Sequence, residues 1–179
     1  MESQETVLQH LSKVTPSCEE EAKSLEFITQ FVAEQPRYWA RDTLVGHLTA
    51  SAWITNAEQT KAVLLHHKKL DIWVQPGGHV DDSDESLAQA SLREAQEETG
   101  LANLTLKQTE IFDVDVHAIP ERKSEPKHNH LDIRYWFIAD NETLTISEES
   151  NELKWMSRAE IEMITQEESV LRMVRKTLL

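Results

Sequence analysis

The chain has 179 residues, of which 39% are hydrophobic and 28% charged, as expected for one globular domain with its own core. No apolar run is long enough to cross a bilayer, and the acidic first residues lack a targeting pattern, so we expect a cytoplasmic protein with no membrane partner. The formal net charge of −14 disfavours nucleic acid as a partner, and the single cysteine, Cys18, excludes an internal disulfide.

Residues 1–42 are predicted to form a helical extension that precedes the main body of the chain. The first helix carries an apolar stripe, and Pro16 ends it. Ser17 and Glu20 have the spacing of a capping box, which predicts that a second helix begins there and runs to Pro36. We expect this helical pair to pack on the domain formed by residues 43–179 or on a partner subunit.

The pattern changes to strands from residue 47 onward. Runs of alternating or continuous apolar residues, separated by polar turns, predict strands at 47–55, 62–67, 70–75, 104–108, 111–119, 130–139 and 153–156. Pro76-Gly77-Gly78 is a turn signal between the third strand and the next helix. Ser157 and Glu160 have capping-box spacing and predict a helix after the last strand.

A helix is predicted over residues 87–98, where neither proline nor glycine interrupts residues of good helix propensity. Its N-cap is predicted among Asp82, Ser83 and Asp84, and Gly100 has the position of a left-handed C-cap.

Three carboxylates lie on one face of this helix, because Glu94, Glu97 and Glu98 occupy positions i, i+3 and i+4. An arbitrary cluster of this kind is usually a solvated acidic face. The alternative is a site for a hard divalent cation such as Mg²⁺, which prefers carboxylate and carbonyl oxygens.

The residues around the helix favour the second interpretation. The stretch resembles the signature of the Nudix hydrolases, G-x5-E-x7-R-E-U-x-E-E-x-G-U, in which U is a bulky apolar residue. The residues that match in register are Glu85, Arg93, Glu94, Glu97, Glu98, Gly100 and Leu101. There are two departures: Ala95 is small for its position, and Gly78 matches only if the loop before Glu85 holds one extra residue.

This resemblance implies an α+β fold, an α/β/α sandwich around a mixed β-sheet, and a hydrolase acting on phosphorus-containing acid anhydrides. The catalytic positions that it implies are Glu85, Arg93, Glu94, Glu97 and Glu98. The ligands that it implies for Mg²⁺ or Mn²⁺ are the Gly78 carbonyl, Glu94, Glu97 and Glu98. Glu94 would be a ligand or the base for the attacking water, and Arg93 would pair with Glu85.

The implied reaction is metal-dependent cleavage, by water, of a phosphoanhydride bond in a nucleoside diphosphate linked to another group X. X would be a nucleotide, a sugar or a related small phosphorylated compound, and the signature does not specify it. One alternative is a catalytically silent nucleotide-binding Nudix domain. Another is a non-hydrolytic enzyme resembling isopentenyl-diphosphate isomerase, for which Cys18, in a predicted N-terminal helix, is poorly placed. A homodimer is the starting expectation for the oligomeric state.

A second group of polar residues alternates along two predicted strands. One strand carries Asp113, Asp115 and His117 on a single side, and the other carries His128, His130, Asp132 and Arg134. If the strands pair, these sides face one another. We favour a solvated face over an auxiliary Zn²⁺ site, and weigh it evenly against substrate contact. Phosphate binding is predicted for His117, His128, His130 and Arg134, with Arg122 and Lys127 from the intervening loop.

Overall fold

The computed structural model describes residues 1–68, 70–121, 126–148 and 150–179. Within them it contains five helices and eight strands. The helices are α1 (Gln4–Leu11), α2 (Glu19–Glu34), α3 (Leu87–Thr99), α4 (Arg158–Ile164) and α5 (Glu168–Thr177). The strands are β1 (Gly46–Thr55), β2 (Lys61–His67), β3 (Ile72–Val74), β4 (Gly77–His79), β5 (Leu104–Leu106), β6 (Asp113–Ile119), β7 (His128–Ala139) and β8 (Ser150–Ser157). None of the helices in these ranges is long and apolar enough to span a bilayer.

The strands form one mixed sheet with β1 near its centre. β1 and β7 are parallel along their whole length, from Gly46 opposite Asn129 to Thr55 opposite Ile138. Along its other edge, β1 pairs antiparallel first with β4 and then, at Thr55, with β2. β6 and β5 pair with β7, and β3 and β8 pair with β2, all of them antiparallel. The mixed sheet is therefore as predicted.

Helices cover both faces of this sheet. On one face, alternate residues of β1, β6 and β7 form a buried apolar cluster with α1, α2 and α3; it includes Val7, Leu11, Ile28, Phe31, Leu48, Ile54, Leu87, Val114, Ile133 and Phe137. On the other face, Trp53 and Trp136 pack with α4 and α5. Each fully buried side chain of this size contributes about 1.5–3 kcal/mol to stability. The helical extension therefore shares one core with the sheet.

Two of the four predicted helix caps are present. Gly100 ends α3 in the left-handed conformation, with φ 71°. Ser157 and Glu160 form the reciprocal capping box that begins α4. Each cap satisfies backbone groups that the helix itself leaves unpaired.

The other two cap predictions are wrong. At α2 the N-cap is Cys18, and both the N–H and the Oγ of Ser17 donate to Glu21, at 2.7 Å, rather than to Glu20. At α3 the cap is Ser86, whose Oγ accepts the N–H of Gln89. In both cases the helix begins later than the first polar residue that is chemically able to cap it.

The glycines at 77 and 78 form a strand rather than the predicted turn. β4 pairs with β1, with Gly78 opposite Ala50. A Cβ added to Gly77 would lie 2.6 Å from the Cα of Ser51, and one on Gly78 would lie 2.5 Å from Oε2 of Glu94. Glycine is therefore required at 77, where the backbone of β4 approaches that of β1, whereas a side chain at 78 would displace the carboxylate of Glu94.

Candidate active site

Arg93 organises the acidic face of α3. Its Nε and Nη2 donate to the two oxygens of Asp84 at 3.0 and 2.9 Å, and its Nη1 donates to Oε1 of Glu94 at 2.7 Å. Nη2 also donates to the carbonyl oxygen of His79 at 2.9 Å, which ties α3 to β4. The planar guanidinium suits this two-point contact with a carboxylate.

The acid that Arg93 holds is Asp84, not the predicted Glu85. Asp84 is buried, whereas Glu85 is exposed and its backbone N–H donates to the side chain of Gln89. Burial tends to raise the pKa of the Asp84 carboxyl, but the hydrogen bonds from Arg93 and from the N–H of Asp81 lower it below its usual value. Asp84 is therefore a charged anchor for the start of α3.

The extra residue in the loop after Gly78 explains why Arg93 holds Asp84 and not Glu85. Counting forward from Gly78 with the family spacing reaches Asp84, whereas counting back from Arg93 reaches Glu85. In the structure, where β4 packs against α3, Arg93 contacts Asp84, the residue reached by counting forward from Gly78. The prediction of Glu85 follows from the second count, and the alternative acid, Asp84, lies one position earlier in the sequence.

The three carboxylates of α3 lie in different surroundings. The Glu94 side chain is mostly buried, and burial, with repulsion from Glu97, raises its pKa in spite of the attraction of Arg93. Glu98 accepts a hydrogen bond from the N–H of Gly77 at 2.8 Å. The side chain of Glu97 is 61% exposed, and its nearer oxygen lies 3.7 Å from Arg93.

These surroundings suit a hard divalent cation. Among the described residues, the carboxylates of four acids lie within 4.0 Å of Arg93: Asp81, Asp84, Glu94 and Glu97. The single positive charge of the guanidinium offsets one of them, so three negative charges remain. Glu94 and Glu98 already bond to Arg93 and Gly77, so an ion would compete with these two contacts. Their oxygens, which are ligands of the kind that Mg²⁺ prefers, lie beside the backbone of β4.

The polar sides of β6 and β7 do face one another, with Asp113 opposite Arg134 and Asp115 opposite Asp132. The interpretation of this side as a solvated face is wrong, because these four residues are 0 to 9% exposed. α5 contacts three of them: Arg172 on that helix donates to Asp113 at 2.7 and 2.8 Å and lies 3.2 Å from Asp115, and the carbonyl oxygen of Ser169 accepts from Arg134.

Arg134 lies within this buried network rather than at a surface. It donates to Asp132 at 2.8 Å, to Asp113 at 3.0 Å and to the carbonyl oxygen of Ser169 at 2.9 Å. Its guanidinium is fully buried, so in this structure it is not accessible to the phosphate that sequence reasoning assigned to it. Its partners make it a structural cation that joins β6, β7 and α5.

The predicted histidines divide into two groups. His117 is 41% exposed and lies 3.1 Å from Asp115. His128 and His130 are half-buried, with ring centroids 5.2 and 4.9 Å from the ring of His47, a residue that sequence reasoning read only as part of a strand. The predicted phosphate contact of Arg122 lies outside the described residues.

The sequence model of the NUDIX domain matches residues 45–176. The chain belongs to the Nudix family. The match spans the domain that carries β4 and α3 and begins after α2. The Nudix assignment made from the residues of α3 and its flanking loop is therefore confirmed.

Relatives of the chain are found among both sequences and solved structures. A probable DHNTP pyrophosphohydrolase of Lactococcus lactis subsp. cremoris is 28% identical over 138 residues, which is 76% of this chain and 80% of the relative. A Nudix-family hydrolase from Clostridium perfringens is 27% identical, with a TM-score of 0.56, over 73% of this chain and 94% of the other. The E. coli dihydroneopterin triphosphate pyrophosphohydrolase has the same TM-score at 15% identity, over 72% and 92% of the two chains, and this shows the fold alone.

Membership of the family agrees with the geometry of the site. This Nudix protein is a hydrolase that acts on phosphorus-containing anhydrides, and its fold is the α+β arrangement that the resemblance implied. Cys18 caps α2, in the extension that precedes the family match, and is not part of the β4–α3 site.

Proposed function

We propose that this Nudix hydrolase cleaves a phosphoanhydride bond in a nucleoside diphosphate linked to another group, with Mg²⁺ or Mn²⁺ as its cofactor. The observation that carries the proposal is the surplus of carboxylates around Arg93, where one guanidinium faces four acids. An anionic substrate would be repelled by this charge unless cations bound there first.

The ligands of the ion would be Glu97, Glu98 and the carbonyl oxygen of Gly78, with Glu94 beside them in the second of its two implied roles, that of the base. When bound, the ion neutralises phosphate oxygens and lowers the pKa of a coordinated water. Arg93 positions α3 through Asp84 and holds Glu94 in its rotamer. His117 on β6 and His128 on β7 are proposed contacts for the rest of the substrate.

Glu94 is the proposed general base. Burial raises the pKa of its carboxyl group, which makes it a better proton acceptor than an exposed glutamate. Its neighbour Glu97 is exposed and better placed to meet an arriving ion. A positioned base of this kind contributes a factor of about 10²–10⁴ in rate.

The first substrate to test is dihydroneopterin triphosphate, which shares the phosphoanhydride chain with the proposed substrates but carries it on a pterin side chain instead of a nucleoside. The relative from Lactococcus lactis is named for this activity, and it matches over 80% of its length. Nucleoside triphosphates, nucleotide sugars and dinucleotides complete the panel, because the site residues address the phosphates and not the group X.

The test compares Glu97→Gln with the parent in the rate at which each substrate is converted into its phosphorylated products, which chromatography separates, with Mg²⁺, with Mn²⁺ and with chelator. We expect parent activity that needs the ion and a loss of at least about 10²-fold in the variant. The matched control is Glu110→Gln, which neutralises an exposed glutamate outside β4 and α3 and should leave the rate unchanged. Parent-level activity of Glu97→Gln, or full activity of the parent in chelator, would contradict the proposal.

A further inference from the structure

Four histidines from three adjacent strands form a compact group: His47 of β1, His79 of β4, and His128 and His130 of β7. We call this group the histidine cluster. The sheet register brings them together, because His47 lies directly opposite His130 in the parallel pair and His79 lies opposite Thr49, two residues from His47 on the same side. In five of the six pairs the ring centroids are 4.9 to 5.2 Å apart.

Three of these rings each bring a nitrogen into one small region. His47, His79 and His130 each have a ring nitrogen within 4.8 Å of the corresponding atoms of the other two, the only such trio of potential ligands found in the described part of the chain. A tetrahedral zinc ion with bonds of about 2.0–2.1 Å holds its ligand nitrogens about 3.3 Å apart. The rings would therefore move together by at most about 1.5 Å, which side-chain rotation on a fixed backbone can supply.

His47 provides a second, independent indication of a ligand. It is 2% exposed, and neither of its ring nitrogens has a hydrogen-bond partner among the described residues. Leaving a polar group buried and unsatisfied costs about 1–3 kcal/mol, and such groups are rare in folded proteins. A metal ion at the centre of the trio would satisfy one of these nitrogens.

The protonation state of two of these rings, those of His47 and His130, favours a cation over an anion. Burial and the neighbouring imidazoles lower the pKa of His47 to about 4 and that of His130 to about 3. Near neutral pH these rings are uncharged, so they offer lone pairs to a metal and no positive charge to a phosphate.

His128 adds the arrangement that metal-binding histidines usually have. Its Nδ1 is 2.8 Å from the carbonyl oxygen of Pro126, and because a carbonyl only accepts, this nitrogen carries a proton; in the neutral form of the ring Nε2 then has a lone pair. His47 and His128 also line a cavity of ≈260 Å³, so the cluster adjoins open space on one side.

We propose that His47, His79 and His130 bind a divalent transition-metal ion such as Zn²⁺, with His128 beside them as the nearest fourth donor. This site is separate from the carboxylates of α3. Imidazole nitrogens select Zn²⁺ and its first-row neighbours, whereas carboxylate and carbonyl oxygens select Mg²⁺. His79 follows Gly78 directly, so the two sites meet at β4.

The experiment measures Zn²⁺ binding by the full-length, metal-stripped protein, without reference to hydrolysis. Zinc per chain is determined after desalting, and affinity is determined by competition with a chromophoric chelator. We expect one tightly held ion per chain in the parent and an affinity at least about tenfold weaker in His47→Gln and in His130→Gln. The controls are His66→Gln, a histidine of β2 outside the cluster, and Glu97→Gln, and both should retain the parent affinity.

Two further measurements on the parent avoid any dependence on the folding of the variants. Co²⁺ should give the visible absorption of a four-coordinate site that Zn²⁺ abolishes, and the imidazole NMR resonances shifted by Zn²⁺ should be those of the cluster. Failure of the parent to retain zinc, or shifts confined to His66 and His67, would overturn the proposal. Loss of zinc binding in Glu97→Gln would also overturn it, because the ion would then belong to the carboxylates.

Discussion

Two arginines hold groups of carboxylates in opposite surroundings. Arg134 is fully buried in a network in which three cations face four carboxylates among the described residues: Arg134, Arg172 and Lys176 with Glu21, Asp113, Asp115 and Asp132. Arg93 is 25% exposed and faces four carboxylates alone. The first group carries a net charge of 3 − 4 = −1, and the second 1 − 4 = −3.

The difference separates a structural cluster from a candidate site. A buried ion network persists when its charges and hydrogen bonds compensate one another, and it then has little affinity left for anything else. The acids around Arg93 are not compensated and lie partly in contact with solvent, so a bound cation would lower their mutual repulsion. Loss of one acid is therefore expected to cost more stability in the buried network than around Arg93.

The largest expected effect is the loss of stability in Asp113→Asn. The Asp113 carboxylate accepts hydrogen bonds from Arg134, Arg172 and Lys176. An asparagine would leave these cations around a neutral amide, and breaking a buried ion pair in this way costs about 3–5 kcal/mol. Urea unfolding measures the change. The control, Asp42→Asn, removes an exposed carboxylate 3.1 Å from Arg37 and should alter stability by less than about 0.5 kcal/mol.

The pH dependence of stability tests the same carboxylate without relying on the size of that loss. Burial tends to raise the pKa of Asp113, but Arg172 and Arg134 outweigh it and hold the pKa below the usual 3.8. The folded state therefore releases the proton more readily than the unfolded state. The stability from this group is fully present above pH 3.8 and is lost as the pH falls through the folded-state pKa.

Urea midpoints measured from neutral to acid pH should fall less steeply in Asp113→Asn than in the parent, because asparagine does not titrate. Parallel profiles for the two proteins would show that Asp113 is not the paired carboxylate that the structure describes.

Elements set by local patterns were predicted well. α3 runs from Leu87 to Thr99 against a prediction of 87–98, and the glycine cap lies where expected, because periodicity, propensity and capping act within a few residues. The alternation along β6 and β7 likewise predicted which side chains face one another. It did not predict their burial, since the covering residue, Arg172, is 59 positions from Asp113 in the sequence.

The candidate site shows the same contrast between features set by local spacing and features set by packing of distant elements. The spacing of Glu94, Glu97 and Glu98 follows from the geometry of one helix. The choice between Asp84 and Glu85 does not, because it depends on how β4 packs against α3. The histidine cluster needs the register of three strands, one of them a strand read as a turn, so the sequence alone could not bring His47 and His79 together.

A smaller effect, about 1–3 kcal/mol, is expected for Asp84→Ala, because Arg93 loses both hydrogen bonds of a partly buried pair. Glu85→Ala provides the matched control one position later, and it should change stability by less than about 0.5 kcal/mol. Thermal or urea unfolding of the two variants ranks the two acids directly. If Glu85→Ala proves the more destabilising of the pair, Glu85 is the acid that pairs with Arg93, as the family pattern implies. The assignment of Asp84 to this role is then wrong.

The smallest expected effect is the stabilisation of the parent by Mg²⁺. An ion that binds only the folded state adds about 1.4 kcal/mol at ten times its dissociation constant, and a chelator should remove this gain. Glu97→Gln should gain less from Mg²⁺ because it offers the ion one carboxylate fewer, whereas neutralising the exposed Glu110 should not reduce the gain. The buried network offers no such ligand, since its oxygens already accept hydrogen bonds from Arg134, Arg172 and Lys176. Equal stabilisation of the parent and Glu97→Gln would mean that Mg²⁺ is held elsewhere, and the uncompensated acids of α3 would then be a solvated surface.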